Sequence, residues 1–416
     1  MTVAFVTLGC KLNYAESATF ARAFKAAGLE VVPWSRGADL FVVNTCSVTA
    51  TSDSKSRSAI RKLHRIRPDA PIVVTGCYAQ LRREEVAAIE GVALVFGANE
   101  KARLVPETLA LLRTPDAVPL SPAQAQVFGA YSIGGRTRSF LKVQDGCDNF
   151  CAYCTVPYAR GRSRNIPICE AVRAARAIAD AGGKEIVLTG VNTGDFGRTT
   201  GEHFLDLLKA LNEVEGIERY RISSIEPNLI TEETVDWIAS GTKFLPHFHI
   251  PLQTGTDSQL KRMGRKYTTA FFRDRIEYIR ARMEGPGRPK VFFGIDVMVG
   301  LPGETPELFE ETRAFIESVR PAFIHIFPYS RRPGTRAADW PDQIPETVKA
   351  ERVKVLEALC ERLHADFVEV NRGIHERVLW ESKEKDGNMS GFTGNYIRIT
   401  RPYDPALSGT ITEVTI

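Results

Sequence analysis

The first part of the chain alternates near-continuous apolar runs with longer amphipathic stretches. The runs "VAFVTLGC", "LEVVPW", "LFVVNTC", "PIVVTGC" and "ALVFGA" are short and rich in β-branched residues, the pattern of strands buried on both faces of a parallel sheet. Between them, "YAESATFARAFKAAG" has helical spacing and a glycine stop, and "ATSDSKSRSAIRKLHRIRPDA" reads as a basic helix ended by Pro68. Strand and helix in turn predict an α/β fold with a doubly wound parallel sheet. The carboxyl ends of parallel strands share one edge, where ligands bind. Cys10, Cys46 and Cys77 each stand just past the end of a predicted strand, so residues far apart in sequence converge there.

Residues 113–138, rich in Pro, Ala, Gln and Gly, read as a linker. Six strand–helix units follow, with strands "SFLKVQDGC", "EIVLTGV", "ERYRISSIEP", "HFHIPLQTG", "VFFGIDVMVGLPGE" and "AFIHIFPYS". Such a repeat predicts a TIM-like barrel or partial barrel, with active-site groups on the loops after the strands. The long helix "PETVKAERVKVLEALCERLHADFVEVN" closes it. The tail then shortens to brief apolar strands between Gly, Asp, Asn and Pro turns, which predicts a small β-barrel. Three units are therefore expected, over residues 1–125, 126–366 and 367–416.

A chain of 416 residues is too long for one ordinary core, which agrees with that division. The net charge of +4 permits a nucleic-acid partner without arguing for one. No apolar run reaches membrane-spanning length, and the N-terminus lacks the basic start and long apolar core of a signal peptide. A cytoplasmic location is expected, where thiols stay reduced. Eight cysteines there point to metal or redox chemistry rather than to disulfides.

The stretch "GCDNFCAYC" places Cys147, Cys151 and Cys154 in one loop. The spacing is unlike a zinc site, which usually pairs CxxC with a distant second pair. Three thiolates suit a four-iron, four-sulfur cluster whose remaining iron is open to a small molecule. Zinc, or reactive thiols in a cysteine-rich turn, are the blander readings of the same residues. Cys169 and Cys360 match no ligand spacing and are expected to be structural. His247 and His249 alternate along one strand, so they share a face, and each reads best as a core histidine.

Cx3CxxC after the first strand of a βα barrel resembles the radical S-adenosylmethionine superfamily. Within it, the chain closely resembles the methylthiotransferases over nearly its whole length. The resemblance rests on "TLGCKLNYAES", "NTCSVT", "VVTGC", "QDGCDNFCAYCTVPYARGRSR", "LTGVNTG", "RISSIEP", "HIPLQTGTD" and "DVMVGLPGET", all in order, and on a tail like the RNA-binding TRAM barrel. It implies two [4Fe-4S] clusters. Cys147, Cys151 and Cys154 would ligate the one that binds S-adenosylmethionine and yields a 5′-deoxyadenosyl radical. Cys10, Cys46 and Cys77 would ligate an auxiliary cluster that carries the sulfur to be inserted. Residues 1–125 would then be the methylthiotransferase domain, 126–366 the radical domain and 367–416 the TRAM-like domain.

Three substrates fit the family: isopentenyladenosine in tRNA, threonylcarbamoyladenosine in tRNA, and an aspartate of a ribosomal protein. "TLGCKLNYAES", "NTCSVT", "KEIVLTGVNTGDFG" and "SSIEP" look most like the threonylcarbamoyladenosine branch, which methylthiolates C2 of that base next to the anticodon. The resemblance implies tRNA, through its anticodon stem-loop, as partner, together with a sulfur source and an electron donor such as flavodoxin or ferredoxin. Thr189, Gly190, Asn192, Ser224, Glu226 and Gln253, at strand ends, are the candidates for contacting S-adenosylmethionine. Arg160, Arg162 and Arg164 follow the cysteine loop and are candidates for tRNA phosphates or the threonyl carboxylate, salt bridging within the barrel being the alternative. The basic helix over 55–67 reads equally as a tRNA contact or a solvated face. Two other classes compete: a zinc-stabilised RNA-binding module without catalysis, and an iron–sulfur electron carrier. Both leave the open ligand positions unexplained.

Overall fold

The computed structural model describes residues 1–113, 128–134 and 136–416. The first unit is a parallel sheet of β1 (Thr2–Thr7), β2 (Glu30–Val31), β3 (Leu40–Thr45), β4 (Ile72–Gly76) and β5 (Val92–Phe96), in the order β2-β1-β3-β4-β5. The central strands β3 and β4 are buried along their whole length, as their unbroken apolar sequence requires. β2, read above as buried, is a two-residue edge strand with both residues exposed. Helix α1 (Lys11–Ala26) packs Phe20 and Phe24 with Val3 and Val42 on one face, and α2 (Ala50–Ile66) packs Ile60 and Leu63 with Phe41 and Val43 on the other.

Most of the expected linker, residues 114–127 and 135, lies outside the described residues. Its described end is not a free connection. β6 (Ala130–Tyr131) pairs antiparallel with β7 (Arg138–Lys142), and Tyr131 accepts a 2.7 Å hydrogen bond from Arg22 of α1. β8 (Gln144–Asp145) and β9 (Arg164–Asn165) pair across the base of the three-cysteine loop.

All six expected barrel strands form: β7, β10 (Glu185–Thr189), β11 (Arg219–Ile222), β12 (His247–Gln253), β13 (Phe292–Val299) and β14 (Phe323–Pro328). β7, β10 and β11 are one parallel sheet, and β12 to β14 another. Parallel bridges Tyr220–Phe244 and Ser224–His249 join the two. No ladder links β14 back to β7 among the described residues, so the barrel is partial.

The tail follows the helix Glu346–Glu369. Its strands β15 (His375–Trp380), β16 (Asn388–Phe392), β17 (Arg398–Pro402) and β18 (Ile411–Thr415) are antiparallel in the order β17-β16-β15-β18. They curl over Trp380, which packs with Val378 and Met389, but no ladder joins β17 to β18 among the described residues. The expected barrel is thus an open curled sheet, because four strands this short wrap one tryptophan without closing. The tail docks on the barrel through two buried arginines. Arg219 donates to the Arg377 carbonyl at 2.9 Å, and Arg221 donates to the carbonyls of Gly394 and Thr393 at 2.8 Å each. Glu185 neutralises both, at 2.6 and 2.7 Å. Trp380→Ala is expected to cost the tail about 3–5 kcal/mol, measured as earlier release of a C-terminal fragment in limited proteolysis while the barrel stays resistant.

Candidate functional site

The loops after β1, β3 and β4 carry Cys10, Cys46 and Cys77, and these three strands are neighbours in the sheet. Two glycines let the loops approach. Gly9 has φ +96°, and a Cβ there would lie 2.8 Å from the Cys46 Cβ. Gly76, at φ +101°, would place a Cβ 2.3 Å from the Thr45 carbonyl oxygen. Asn13, one turn into α1, donates to the carbonyls of Leu8 at 2.7 Å and Thr45 at 2.9 Å, tying the first two loops together.

Cys147, Cys151 and Cys154 occupy the loop after β7 and β8. The Cys147 sulfur accepts from the Asn149 N–H, and the Cys154 sulfur from the Val156 N–H, at 3.5 and 3.4 Å. The helix Val156–Arg160 follows directly and packs against the short helix that Cys77 begins. The two cysteine loops, one from each unit, therefore lie side by side. Burial, and then the neighbouring Cys151, push the Cys154 thiol up to about 12 and the Cys147 thiol to about 11. Burial also raises Cys46 and Cys77, while Arg160 opposes the rise at both. Thiols so placed stay protonated until a metal takes the proton's place.

Between the loops lies a buried ion network. Glu16 of α1, fully buried, bonds Lys101 at 2.6 Å and Lys142 of β7 at 2.7 Å. Lys142 also pairs with Asp145 at 2.6 Å. Arg160 bonds Asp145 at 2.9 Å, Glu16 at 3.4 Å and the Asn13 side chain at 2.5 Å. Arg160, a candidate for the substrate, is thus buried and paired with internal acceptors, as in the salt-bridging alternative. Arg164 is likewise turned inward, onto Asp145 at 3.5 Å and the Arg160 carbonyl at 2.5 Å. Of the three arginines only Arg162 faces solvent, with its side chain 77% exposed.

The candidates at the strand ends divide as well. The Thr189 hydroxyl donates to the Leu141 carbonyl at 3.2 Å, so it points into the sheet. Gly190 packs on the Gln144 side chain, where a Cβ would lie 2.9 Å from Oε1. Asn192 accepts from the Glu226 N–H at 3.2 Å. Ser224 bridges to His249, and Gln253 sits at a bulge in β12 with φ +71°. Glu226 accepts from Asn149 of the cysteine loop at 2.6 Å and pairs with Arg265 at 3.1 Å. Arg265, not foreseen, donates to the Cys151 sulfur at 3.1 Å. Gln144, also missed, donates to the Gly146 carbonyl at 2.8 Å while its oxygen accepts from the N–H groups of Val191 and Asn192. Neither has a sequence signal; both are polar residues whose partners come from loops distant in sequence. Cys360 is buried, with its sulfur accepting from Ile324, whereas Cys169 is exposed and supports no core.

Inside the barrel, alternate residues of all six strands line a cavity of about 560 Å³ that also meets Cys10 and Lys11 of the first unit and Tyr396 of the tail. His247 and His249 both reach it, as their alternation requires. His249 bonds Asp296 at 2.8 Å, while His247 stacks on Phe292. Burial, then Arg138 and Arg221, lower the Lys11 pKa, a sign of crowded positive charge.

Burial alone would raise the Glu16 pKa, but Lys101, Lys142 and Arg160 outweigh it and hold the carboxyl far below its ordinary range; Asp145 is held down the same way by Lys142 and Arg160. A depressed carboxylate pKa contributes stability that is fully present above about pH 5 and lost as pH falls below it. Glu16→Gln leaves buried cations unpaired and is expected to cost about 3–5 kcal/mol at neutral pH. Urea unfolding of the two proteins across pH should show that loss, and a weaker acid dependence in the variant.

Residues 2–97 match the family described as uncharacterized protein family UPF0004, and residues 141–316 match the radical SAM superfamily. The threonylcarbamoyladenosine tRNA methylthiotransferase MtaB of Bacillus subtilis is 40% identical over 100% of this chain and 93% of its own length. The protein of the same name from Aquifex aeolicus is 36% identical, over 96% and 97%. The tRNA-2-methylthio-N(6)-dimethylallyladenosine synthase of Geobacter metallireducens is 33% identical, over 99% and 94%. Among solved structures, the radical S-adenosylmethionine methyltransferase TsrM of Kitasatospora setae shares the fold, with a TM-score of 0.58 at 17% identity over 81% of this chain and 77% of that one. Membership of the superfamily brings S-adenosylmethionine and a [4Fe-4S] cluster with it. With its two cysteine loops on either side of one buried ion network, the chain belongs to the radical S-adenosylmethionine methylthiotransferase family.

Proposed function

We propose that the protein adds a methylthio group to C2 of N6-threonylcarbamoyladenosine, next to the anticodon of tRNA. The observation that carries this reading is the juxtaposition of two three-cysteine loops across the Glu16–Arg160 network. The activity for which the MtaB relatives are named, at 35–40% identity, supports the substrate branch. We assign Cys147, Cys151 and Cys154 to the cluster that binds S-adenosylmethionine, and Cys10, Cys46 and Cys77 to a second, sulfur-carrying cluster. The donor chemistry fits. Neither set draws its sulfurs within the 4.8 Å span of a single-ion site, and among the described residues only His249, Asp296 and His325 do so. A multi-iron cluster holds its thiolates farther apart than one ion does. When bound, the two groups supply a 5′-deoxyadenosyl radical and the sulfur to be inserted.

The chain's own residues do the rest. Arg160 offers a buried positive charge to Cys46 and Cys77 and so favours their thiolates. Arg265 donates to Cys151, and Glu226 holds Arg265 and Asn149 in place. Thr189, Gly190, Asn192, Ser224, Glu226 and Gln253 are read as candidates for the cofactor rim, Asn192 and Glu226 being bonded to each other and Glu226 to the cysteine loop. Arg162, and Lys55 and Arg61 of α2, are exposed cations suited to tRNA phosphates. The base must leave its stack to reach a site this enclosed. The three units are read as residues 1–125, 126–366 and 367–416, with the curled tail as RNA-binding module. A low-potential electron donor such as flavodoxin or ferredoxin and a sulfur source complete the reaction. No helix among the described residues is long and apolar enough to cross a membrane, and a tRNA substrate suits the cytoplasm.

Anaerobic reconstitution should give about eight irons per chain and, by mass spectrometry of tRNA nucleosides, a methylthio adduct on threonylcarbamoyladenosine. Cys147→Ala is expected to abolish S-adenosylmethionine cleavage, whereas Cys46→Ala keeps cleavage and stops methylthiolation. Equal loss of cleavage in both would refute the division between the loops.

A further inference from the structure

The barrel cavity has an unbalanced charge. Five cations line it, Lys11, Arg136, Arg138, Arg221 and Arg398, and no carboxylate does among the described residues. Three are already engaged. Arg138 bonds Glu381 and the Tyr396 hydroxyl, Arg221 bonds Glu185, and Arg398 bonds the Ser390 hydroxyl. Arg136 lies over the Tyr14 ring at 4.6 Å. Lys11 has no hydrogen bond or ion pair among the described residues, and it is exposed on the cavity lining. An ammonium group set beside four other cations, with no acceptor of its own, attracts an anion to the cavity. The same surplus argues against a metal ion at His249, Asp296 and His325, whose ligand atoms lie within 4.8 Å of one another. A dication there would face the five cations, and Asp296 is already paired to His249.

We propose that Lys11 is the specificity residue that receives the carboxylate of the substrate's threonyl group in this cavity. The proposal rests on the functional reading above and adds a place for the group that distinguishes this substrate from an isopentenyl base. Chemistry fixes the side. In an N6-ureidopurine the distal urea N–H closes an internal hydrogen bond onto N1, the ring nitrogen bonded to C2. The threonyl carboxylate is thereby folded toward the edge of the base that carries the reacting carbon. A cation for it must therefore stand next to the sulfur-delivering loop. Lys11 does, as the residue after Cys10, and Cys10 is the one cysteine of either set on the cavity lining. Phe140 and Phe323 supply apolar wall for the methyl-bearing side chain. The other anion a tRNA brings is its phosphodiester, and the experiment separates the two.

The test uses reconstituted protein and anticodon stem-loop RNAs whose adenosine 3′ of the anticodon carries the threonylcarbamoyl group as free acid, as methyl ester, or not at all. Dissociation constants are read by fluorescence titration. The wild type is expected to bind the acid about ten- to a hundredfold more tightly than the ester, the worth of one hydrogen bond to a charged group. Lys11→Gln should remove that difference, Lys11→Arg should keep most of it, and neither should change binding of the unmodified RNA. Equal binding of acid and ester by the wild type would overturn the proposal. So would discrimination that persists in Lys11→Gln, or a loss in Lys11→Gln equal for all three RNAs, which marks a phosphate contact. Product analysis separates this from the underlying reading. A methylthio adduct on the acid RNA upholds the activity whatever the affinities show. An adduct formed only on an isopentenyladenosine RNA overturns both.

Discussion

Glu16 carries the structure's central constraint. It is a carboxylate with no solvent exposure that meets Lys101 from its own unit and Lys142 from the barrel, with Arg160 behind them. Burying one such charge unpaired is prohibitive, so the group is stable only when both units are in place. The network thereby acts as a latch. It fixes the α/β sheet against the first barrel strand, and with it the cysteine loop of the one against the cysteine loop of the other. Chemistry shared between two groups tolerates little misplacement, and a network of short charged contacts holds position better than an apolar seam that can slide.

The same device recurs at the other end of the barrel. Glu185 is buried in β10 and neutralises Arg219 and Arg221 of β11, whose remaining donors hold backbone carbonyls of the tail. Two carboxylates on or against neighbouring barrel strands thus dock the two flanking units. The cavity lies between these two docking points and inherits their cations, because arginines used for docking also present edges to the lumen. The positive character of the cavity is in this sense a by-product of assembly, with Lys11 as the cation that assembly does not consume.

Arg160 shows how close a structural and a functional reading can lie. Its position after the cysteine loop placed it correctly near the chemistry. The structure buries it and pairs it with Asp145, Glu16 and Asn13. Arg162, two residues on, differs only in pointing outward. A sequence of alternating arginines carries no mark that separates the two, because Arg160 ends a short helix packed inward while Arg162 lies in the loop after it.

Much of the architecture was legible in the chain. Buried apolar runs ending in Cys10, Cys46 and Cys77 determined a parallel sheet with three thiols at one edge, since parallel strands must present their ends together. The βα period determined six barrel strands, and the cysteine spacing at 147, 151 and 154 marked the loop above the first. Tertiary structure alone decided what depends on partners distant in sequence. Arg265 and Gln144 become part of the site only because loops far apart in the chain bring partners to them, the Cys151 sulfur to Arg265 and the Val191 N–H to Gln144. The Thr189 hydroxyl bonds the Leu141 carbonyl and Gly190 packs on Gln144, and the tail is an open curled sheet. Lys11 gains its meaning only when folding sets it on the cavity lining without a partner. Periodicity and spacing report local geometry. The pairing of polar side chains is settled by packing, where the cost of an unmatched buried charge selects one arrangement.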